Sequence, residues 1–266
     1  MTAFRKQTKW LYPTLFIAGF ILLWQILSMT GMINRALMSA PSNIVEELIK
    51  LHQRDLPEQS LLINHVLATL KRLAVASVFG TLLGAAVGLA MGLNRYIYRF
   101  LDPLITVIMP IPGIAIAPLF IVWLGFGDAT IIAVGILATF FPVVYNTAAG
   151  VRTVDDQLVR AALIMGASKI TTIFSVYLPW AASHLILGVK LGLARCWRTV
   201  VAVELIAAAN WGLGYMIWDA AEYLRAGLVY GGILLMIITY FLLEKLLIDQ
   251  VEKQTLVKWG MLNEQS

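Results

Sequence analysis

The residues hardest to explain as packing are four charges, Lys190, Arg195, Arg198 and Glu204, inside one apolar run near 183–207. A cation held at the centre of a bilayer-spanning helix costs at least about 2.5–3.5 kcal/mol on insertion scales, so it must face a cavity or a partner. Arg195 and Arg198 are three residues apart and share a helix face, whereas Glu204 falls nearly opposite Arg195 and makes a poor partner for it within that helix. Lys190 can snorkel toward the nearer end. Two readings of the arginine pair stay open: it lines a solute path and supplies positive potential, or each arginine pairs with a carbonyl or carboxylate elsewhere in the bundle. Pro103, Pro110, Pro112 and Pro118, with Gly113, crowd another apolar run. Proline removes a donor and clashes with the preceding turn, so this helix is expected to be kinked or broken. Freed carbonyls at membrane depth need protein or water to receive them, which puts Pro110 and Pro112 beside a path or at a structural kink.

A third feature is the polar interruption 151–169, written with helix punctuation. Asp155 or Asp156 can cap a helix start, Gly166 can end that helix in the left-handed conformation, and Ser168 can cap the next. Between them Leu158, Ala161, Ala162 and Met165 fall at i, i+3, i+4 and i+7, giving a short helix with one apolar stripe. The stripe either folds back onto the chain's own helices or is covered by something else.

These features sit in a chain of 266 residues with mean hydropathy +0.81, 60% apolar and 13% charged. Soluble domains carry roughly 25% charged residues, so this is a membrane-protein composition. Apolar runs predict six spans, at about 10–29, 72–92, 101–124, 130–150, 183–207 and 228–247, each close to one crossing of a roughly 30 Å hydrocarbon core. The fold class is therefore an all-α integral membrane bundle. The first run follows Arg5, Lys6 and Lys9 without a nearby small-x-small site, and is read as a retained helix rather than a signal peptide.

With the N-terminus inside, eleven basic residues fall on the inner side (Arg5, Lys6, Lys9, Arg95, Arg99, Arg152, Arg160, Lys169, Lys245, Lys253 and Lys258). Six fall outside (Arg35, Lys50, Arg54, Lys71, Arg72 and Arg225). That bias predicts both termini in the cytoplasm, together with loop 151–180. It gives an inner N-terminus 1–9, a first span and outer segment 10–71, a core 72–250 and an inner tail 251–266. In the outer segment, Ile44, Leu48, Ile49 and Leu51 mark an amphipathic helix at about 43–53, lying on the membrane surface or packed. Gly80, Gly84, Gly88 and Gly92 recur every four residues in the second span, flanked by Ala76, Thr81 and Ala85. They form a groove without side chains, for packing inside this subunit or against a second copy. Gly188 and Gly192 repeat the device in the fifth span.

Several classes of chemistry are disfavoured. There is no Gly-x-x-x-x-Gly-Lys-Ser/Thr loop to cradle a nucleotide, no Gly-x-Ser-x-Gly and no His-Glu-x-x-His. His52, His65 and His184 are scattered without carboxylates at ligand spacing, so no metal site is expected. Cys196 is alone and reads as a packing residue.

The run Ala161-Ala162, then Gly166-Ala167-Ser168, then Leu178-Pro179 resembles the coupling loop of permease subunits of binding-protein-dependent ABC importers. That loop reads Glu-Ala-Ala, three residues, Gly, and a later Leu-Pro. The spacing is kept, but Arg160 stands where the family has Glu. Ser39-Ala40-Pro41-Ser42, Trp123-Leu124-Gly125-Phe126-Gly127, Phe140-Phe141-Pro142-Val143-Val144-Tyr145-Asn146-Thr147, Val203-Glu204-Leu205-Ile206 and Asn210-Trp211-Gly212-Leu213-Gly214-Tyr215 follow in the family's order. From about Pro41 to Trp259 the chain is similar to the nitrate, sulfonate and taurine branch.

The resemblance implies a six-span permease of the type I importer kind, with no cofactor of its own and with ATP hydrolysed by a separate cytoplasmic subunit. It also implies a second permease copy, as a homodimer, and a periplasmic or lipid-anchored binding protein that delivers a small anionic solute. No nucleic acid is involved, and the place is a bacterial or archaeal cytoplasmic membrane. On this reading Asp155, Leu158, Arg160, Ala161, Ala162, Met165, Gly166, Ala167 and Ser168 form the ATPase contact. Pro110, Pro112, Arg195, Arg198 and Glu204 shape the path, and the turn 210–215 either closes its outer mouth or is plain loop. The rival reading is a stand-alone secondary transporter or channel.

Overall fold

A computed structural model describes residues 2–30, 38–53, 55–56 and 59–248. The expected tail 251–266, with Lys253 and Lys258, lies outside the described residues, as do Arg35 and Arg54. The helices are α1 Thr2–Met29, α2 Pro41–Gln53, α3 Leu61–Leu93, α4 Arg95–Ile108, α5 Gly113–Leu124, α6 Asp128–Arg152, α7 Asp156–Ile164, α8 Lys169–Thr172, α9 Leu178–Ala207, α10 Leu213–Glu222 and α11 Ala226–Leu243. One departure from an all-helical chain is a two-residue antiparallel pair, β1 Asp55–Leu56 with β2 Gln59–Ser60, which turns the chain from α2 into α3. Among the described residues five helices are long and apolar enough to cross a membrane, and six crossings result if α4 and α5 count as one broken span.

Three span boundaries differ from expectation. The second begins at Leu61 rather than 72, because Lys71 and Arg72 lie inside α3 instead of flanking it. The third is two helices bent by 100° between Ile108 and Gly113. There Pro110 and Pro112 supply no N–H, and the Ile111 N–H between them turns back to Ile108 O at 3.0 Å instead of continuing the four-residue ladder. The fifth runs unbroken from Lys169 to Ala207 through a π-helical turn at Ile173–Tyr177. Pro179 lies just after that turn at the start of α9 and has no N–H for the carbonyl four residues back, so the helix widens there.

The core is α6 held between α3 and α9. The glycine row of α3 faces α6 inside this subunit, so the groove expected from the four-residue spacing is an internal seam. A β-carbon at Gly80 would lie 2.6 Å from Thr139 Cβ, one at Gly84 2.8 Å from Val143 Cβ, one at Gly88 2.7 Å from Thr147 Cβ and one at Gly92 2.5 Å from Val151 Cβ. Both rows step by four, so each bare position on α3 receives one branched side chain of α6, and the backbones approach closely. On the other flank Gly188 meets Asn146 and the Pro142 carbonyl, and Gly192 meets Thr139. Gly84→Ala should therefore cost about 1–3 kcal/mol through overpacking against Val143 and the Phe140 carbonyl. Gly19→Ala, with nothing within 4 Å, should be neutral or mildly stabilising. Thermal unfolding in detergent reads both.

The periphery is looser. α2 packs rather than floats: Ile44 is buried, and Leu48 lies against Gly231 of α11, while Ile49 points out. From Tyr12 onward α1 stands off the bundle, with Phe16 77% exposed. Near its end the Trp24 ring lies 5.7 Å from Tyr230, and Gln25 Nε2 donates to Ser42 Oγ at 3.0 Å.

Candidate functional site

The loop after α6 folds as its punctuation dictates. Asp155 is the residue that caps α7, its Oδ1 accepting from Gln157 N at 2.8 Å. At the other end Gly166 takes φ +85. Its N–H donates to Leu163 O, and Ala167 N donates to Ala162 O, both at 3.0 Å, which is the paired closure of a glycine-terminated helix. Ser168 Oγ then accepts from Thr171 N at 3.1 Å and starts α8. Three caps within fourteen residues fix a short helix at a set angle to the bundle.

The stripe on α7 divides. Ala162 is buried against the bundle and Val159 is half-buried, whereas Leu158, Ala161 and Met165 are open, Met165 at 80%. Leu163 and Ile164, which the i, i+3, i+4 reading passed over, are exposed beside them, Ile164 at 86%. Ile170 and Phe174 continue the apolar surface across the turn. Arg160 is exposed at its edge and Ala167 is half-buried. A single scattered apolar residue on a surface is ordinary, but this is a contiguous apolar knob rimmed by Asp155, Asp156, Arg160 and Lys169.

The broken span and the α9 arginines meet. In a continuous helix Met109 O would accept from Gly113 N, but the bend carries Gly113 away, and Pro112 has no N–H for Ile108 O. Arg195 Nη2 donates instead to Met109 O, and reaches Ile111 O at 3.5 Å. Gly113 lies so close to α9 that an added β-carbon would collide with Thr199 Cγ2. Pro110 and Pro112 are exposed at this elbow. Arg198 is different. Its Nε bonds Ala194 O of its own helix at 3.1 Å, and it shares an exposed face with Leu187 and Leu191.

Glu204 corrects the expectation that it lines a path. It is 0% exposed, and its carboxylate receives Arg72 Nη1 at 2.7 Å, Thr69 Oγ1 at 2.9 Å and Gly214 N at 3.0 Å. Arg72, counted from the sequence among the outer-side charges, is itself buried and spends its other face on Asp128, with Nη2 at 2.7 Å from Oδ1. Around this pair the turn before α10 is held group by group. Arg72 Nη1 donates to Trp211 O at 2.6 Å, His65 Nδ1 lies 2.9 Å from Gly212 O, and Leu213 N donates to Thr69 Oγ1 at 2.8 Å. The turn 210–215 is thus a fixed piece of structure, pinned to α3 and α9 at the end of the bundle opposite α7. His65, Thr69 and Arg72 fall at i, i+4 and i+7, the same α3 face that continues into Ala76, Gly80 and Gly84. That periodicity was the available signal for them. Among the described residues no group of three or more His, Cys, Asp or Glu could hold a metal ion.

With the capped apolar knob at one end of the bundle, the pinned turn at the other and the arginine-bearing elbow between them described, the chain can be set against known proteins. Residues 80–249 match the family described as the binding-protein-dependent transport system inner membrane component. The chain belongs to that family. The permease is 34% identical over 247 residues to the taurine transport system permease protein TauC of Escherichia coli, covering 90% of each chain. It is 30% identical to the putative aliphatic sulfonates transport permease protein SsuC of Bacillus subtilis, covering 96% of this chain and 90% of the other. It is 27% identical to the bicarbonate transport system permease protein CmpB of Synechococcus elongatus, over 80% and 77%. A solved chain of the MetNI methionine ABC transporter, in inward-facing conformations, superposes with a TM-score of 0.63 at 21% identity, covering 76% of the permease and 99% of that chain. That likeness shows the shared fold. The permease is a multi-pass inner-membrane component of an ABC importer, and membership implies an ATPase and a solute-binding protein as its partners.

Proposed function

We propose that the permease works as one of two identical copies, with the α7 knob in the cytoplasm and the pinned turn on the outer side. The knob seats in a cleft of the ATP-binding subunit through Leu158, Ala161 and Met165, with Leu163 and Ile164 adding to the contact. Asp155, Gly166, Ala167 and Ser168 set its angle, Ala162 anchors it to the bundle, and Arg160 supplies a rim charge. The permease binds no cofactor, and ATP is hydrolysed by the partner. A periplasmic or lipid-anchored binding protein delivers the solute to the outer end. The N-terminus 1–9 and tail 251–266 lie on the cytoplasmic side, flanking the outer segment within 10–71 and the core 72–250.

The solute is a small anion. Arg198 supports this, because an arginine on an otherwise apolar exposed helix face is too costly to leave in lipid and calls for a hydrated path between the two copies. The taurine, sulfonate and bicarbonate named for the relatives point the same way. Pro110 and Pro112 place the elbow against that path. Closure of the ATP-binding subunits on nucleotide then swings the helices between inward-open and outward-open arrangements, a rigid-body switch.

The observation that carries the reading is the open apolar surface of α7, too large and too well capped to be a mere connector. The tagged permease expressed with its neighbouring genes should retain an ATP-binding subunit through purification in mild detergent. Met165→Glu, which places a charge in the knob, should release that subunit. Retention by the variant equal to that of the unaltered chain would remove α7 from the contact.

A further inference from the structure

Arg195 and Arg198 look like a matched pair in the sequence, but their surroundings divide them. Arg195 is half-buried, and its guanidinium is committed to the backbone carbonyls of Met109 and Ile111, in the break between α4 and α5, 84 to 86 residues away. Those carbonyls are the ones the bend parts from their helical donors, Gly113 N and Ala115 N, the latter turned to Pro112 O at 3.0 Å, and an orphaned carbonyl at membrane depth needs a donor from elsewhere. Arg195 is the donor the described structure supplies. One helical turn on, Thr199 presses on Gly113 with no room for a β-carbon between them. The elbow is therefore attached to α9 at two points on one face, one by charge-assisted hydrogen bonding and one by close packing.

We propose that Arg195 is a positioning residue that clamps the α4–α5 elbow to α9, so that the elbow and α9 travel as one body through the transport cycle. Arg198 takes no part in the clamp and keeps its outer guanidinium nitrogens for the path. The clamp deepens the reading of this face as the solute path, but it does not depend on which solute passes. It assigns the two arginines separate tasks: one shapes the wall and the other meets the cargo. A lysine in place of Arg195 keeps the charge and a donor, while a methionine keeps only the bulk.

The test uses the full importer in lipid nanodiscs, with spin labels at Ile111→Cys and Leu191→Cys, both on exposed positions. Cys196 is buried and takes no label. Labelled permease is diluted with unlabelled permease so that each distance reports on one chain. Pulsed dipolar spectroscopy is recorded without nucleotide and after trapping with ATP and vanadate. The expected result is one narrow distance that changes by less than about 2 Å between the states, the scale of adjustment within a packed unit. Arg195→Met should broaden or shift that distance, Arg195→Lys should restore it, and Arg198→Gln should leave it as it was. A larger change between states in the unaltered protein overturns the proposal, as does an unchanged distance in Arg195→Met or an equal loosening by Arg198→Gln. If Arg195→Met does not accumulate in the membrane, the nucleotide comparison on the unaltered arginine still decides. Should no ATP-binding subunit be retained, the functional reading fails, while the nucleotide-free comparison of Arg195→Met with the parent still tests the clamp.

Discussion

Arg72→Met should destabilise the permease by about 3–5 kcal/mol, the usual cost of removing one partner from a buried ion pair. The methionine fills much of the volume, so the loss is electrostatic. Glu204 is left at 0% exposure without its counter-charge, and Trp211 O loses its donor. Asp128 loses its partner too, but its side chain is 54% exposed and water replaces much of that bond, so this leg contributes little. The double variant Arg72→Met with Glu204→Leu should recover a large part of the loss, because it removes both charges and not one. It should not recover all of it, since Gly214 N then has no acceptor. Thermal unfolding in detergent of the parent, both single variants and the double gives the coupling directly. Single effects that simply add would mean that the pair is not the hub of this end of the bundle.

Gly166→Pro should leave insertion and melting nearly unchanged while cutting uptake by roughly tenfold or more, since imposing proline where it does not fit costs about 3 kcal/mol locally. Two facts separate the site from the core. A side chain at Gly166 meets nothing within 4 Å, so there is no clash to propagate. The backbone, however, sits at φ +85, which proline cannot adopt, and the Gly166 N–H that closes α7 onto Leu163 O disappears. The helix end reopens, and Leu158, Ile164 and Met165 no longer present one surface. Gly166→Ala, with a left-handed penalty of about 1–2 kcal/mol, should fall between the parent and the proline variant. Uptake and ATP hydrolysis measured together in proteoliposomes check this: hydrolysis without transport is expected. Parent-level uptake by the proline variant would exclude α7 from force transmission.

What could be read from the chain alone divides along a physical line. Features specified by neighbours in sequence were legible. Asp155, Gly166 and Ser168 each act within a few residues of themselves, and two prolines in three residues break a helix whatever surrounds it. The α3 glycines were legible as a groove, though what lies in it was not, because the match to Thr139, Val143, Thr147 and Val151 depends on register between separate helices. Arg72 was misplaced for a related reason. Hydropathy ends a span at the first charge, and only the Glu204 carboxylate, 132 residues away, makes that charge tolerable inside α3. The same blindness put Glu204 on the path, since a buried acid seen without its base looks like a functional one. Of the two readings of Arg195, the structure shows the pairing with carbonyls, and the sequence could not name them because they lie 84 to 86 residues away. On α7 the periodicity pointed to the correct helix, but the bundle covers only Ala162, and what it leaves open extends to Leu163 and Ile164.

The bare rows of α3 and α9 on either side of α6 have one more implication. Glycine has no rotamers and the β-branched side chains set against the α3 row have few, so these close seams absorb little displacement by reshuffling side chains, and a push on one helix passes to the next. Three helices joined in that manner behave as a stiff plank. Whatever bends during a cycle must then bend at the plank's margins, where α1 hangs with far less holding it.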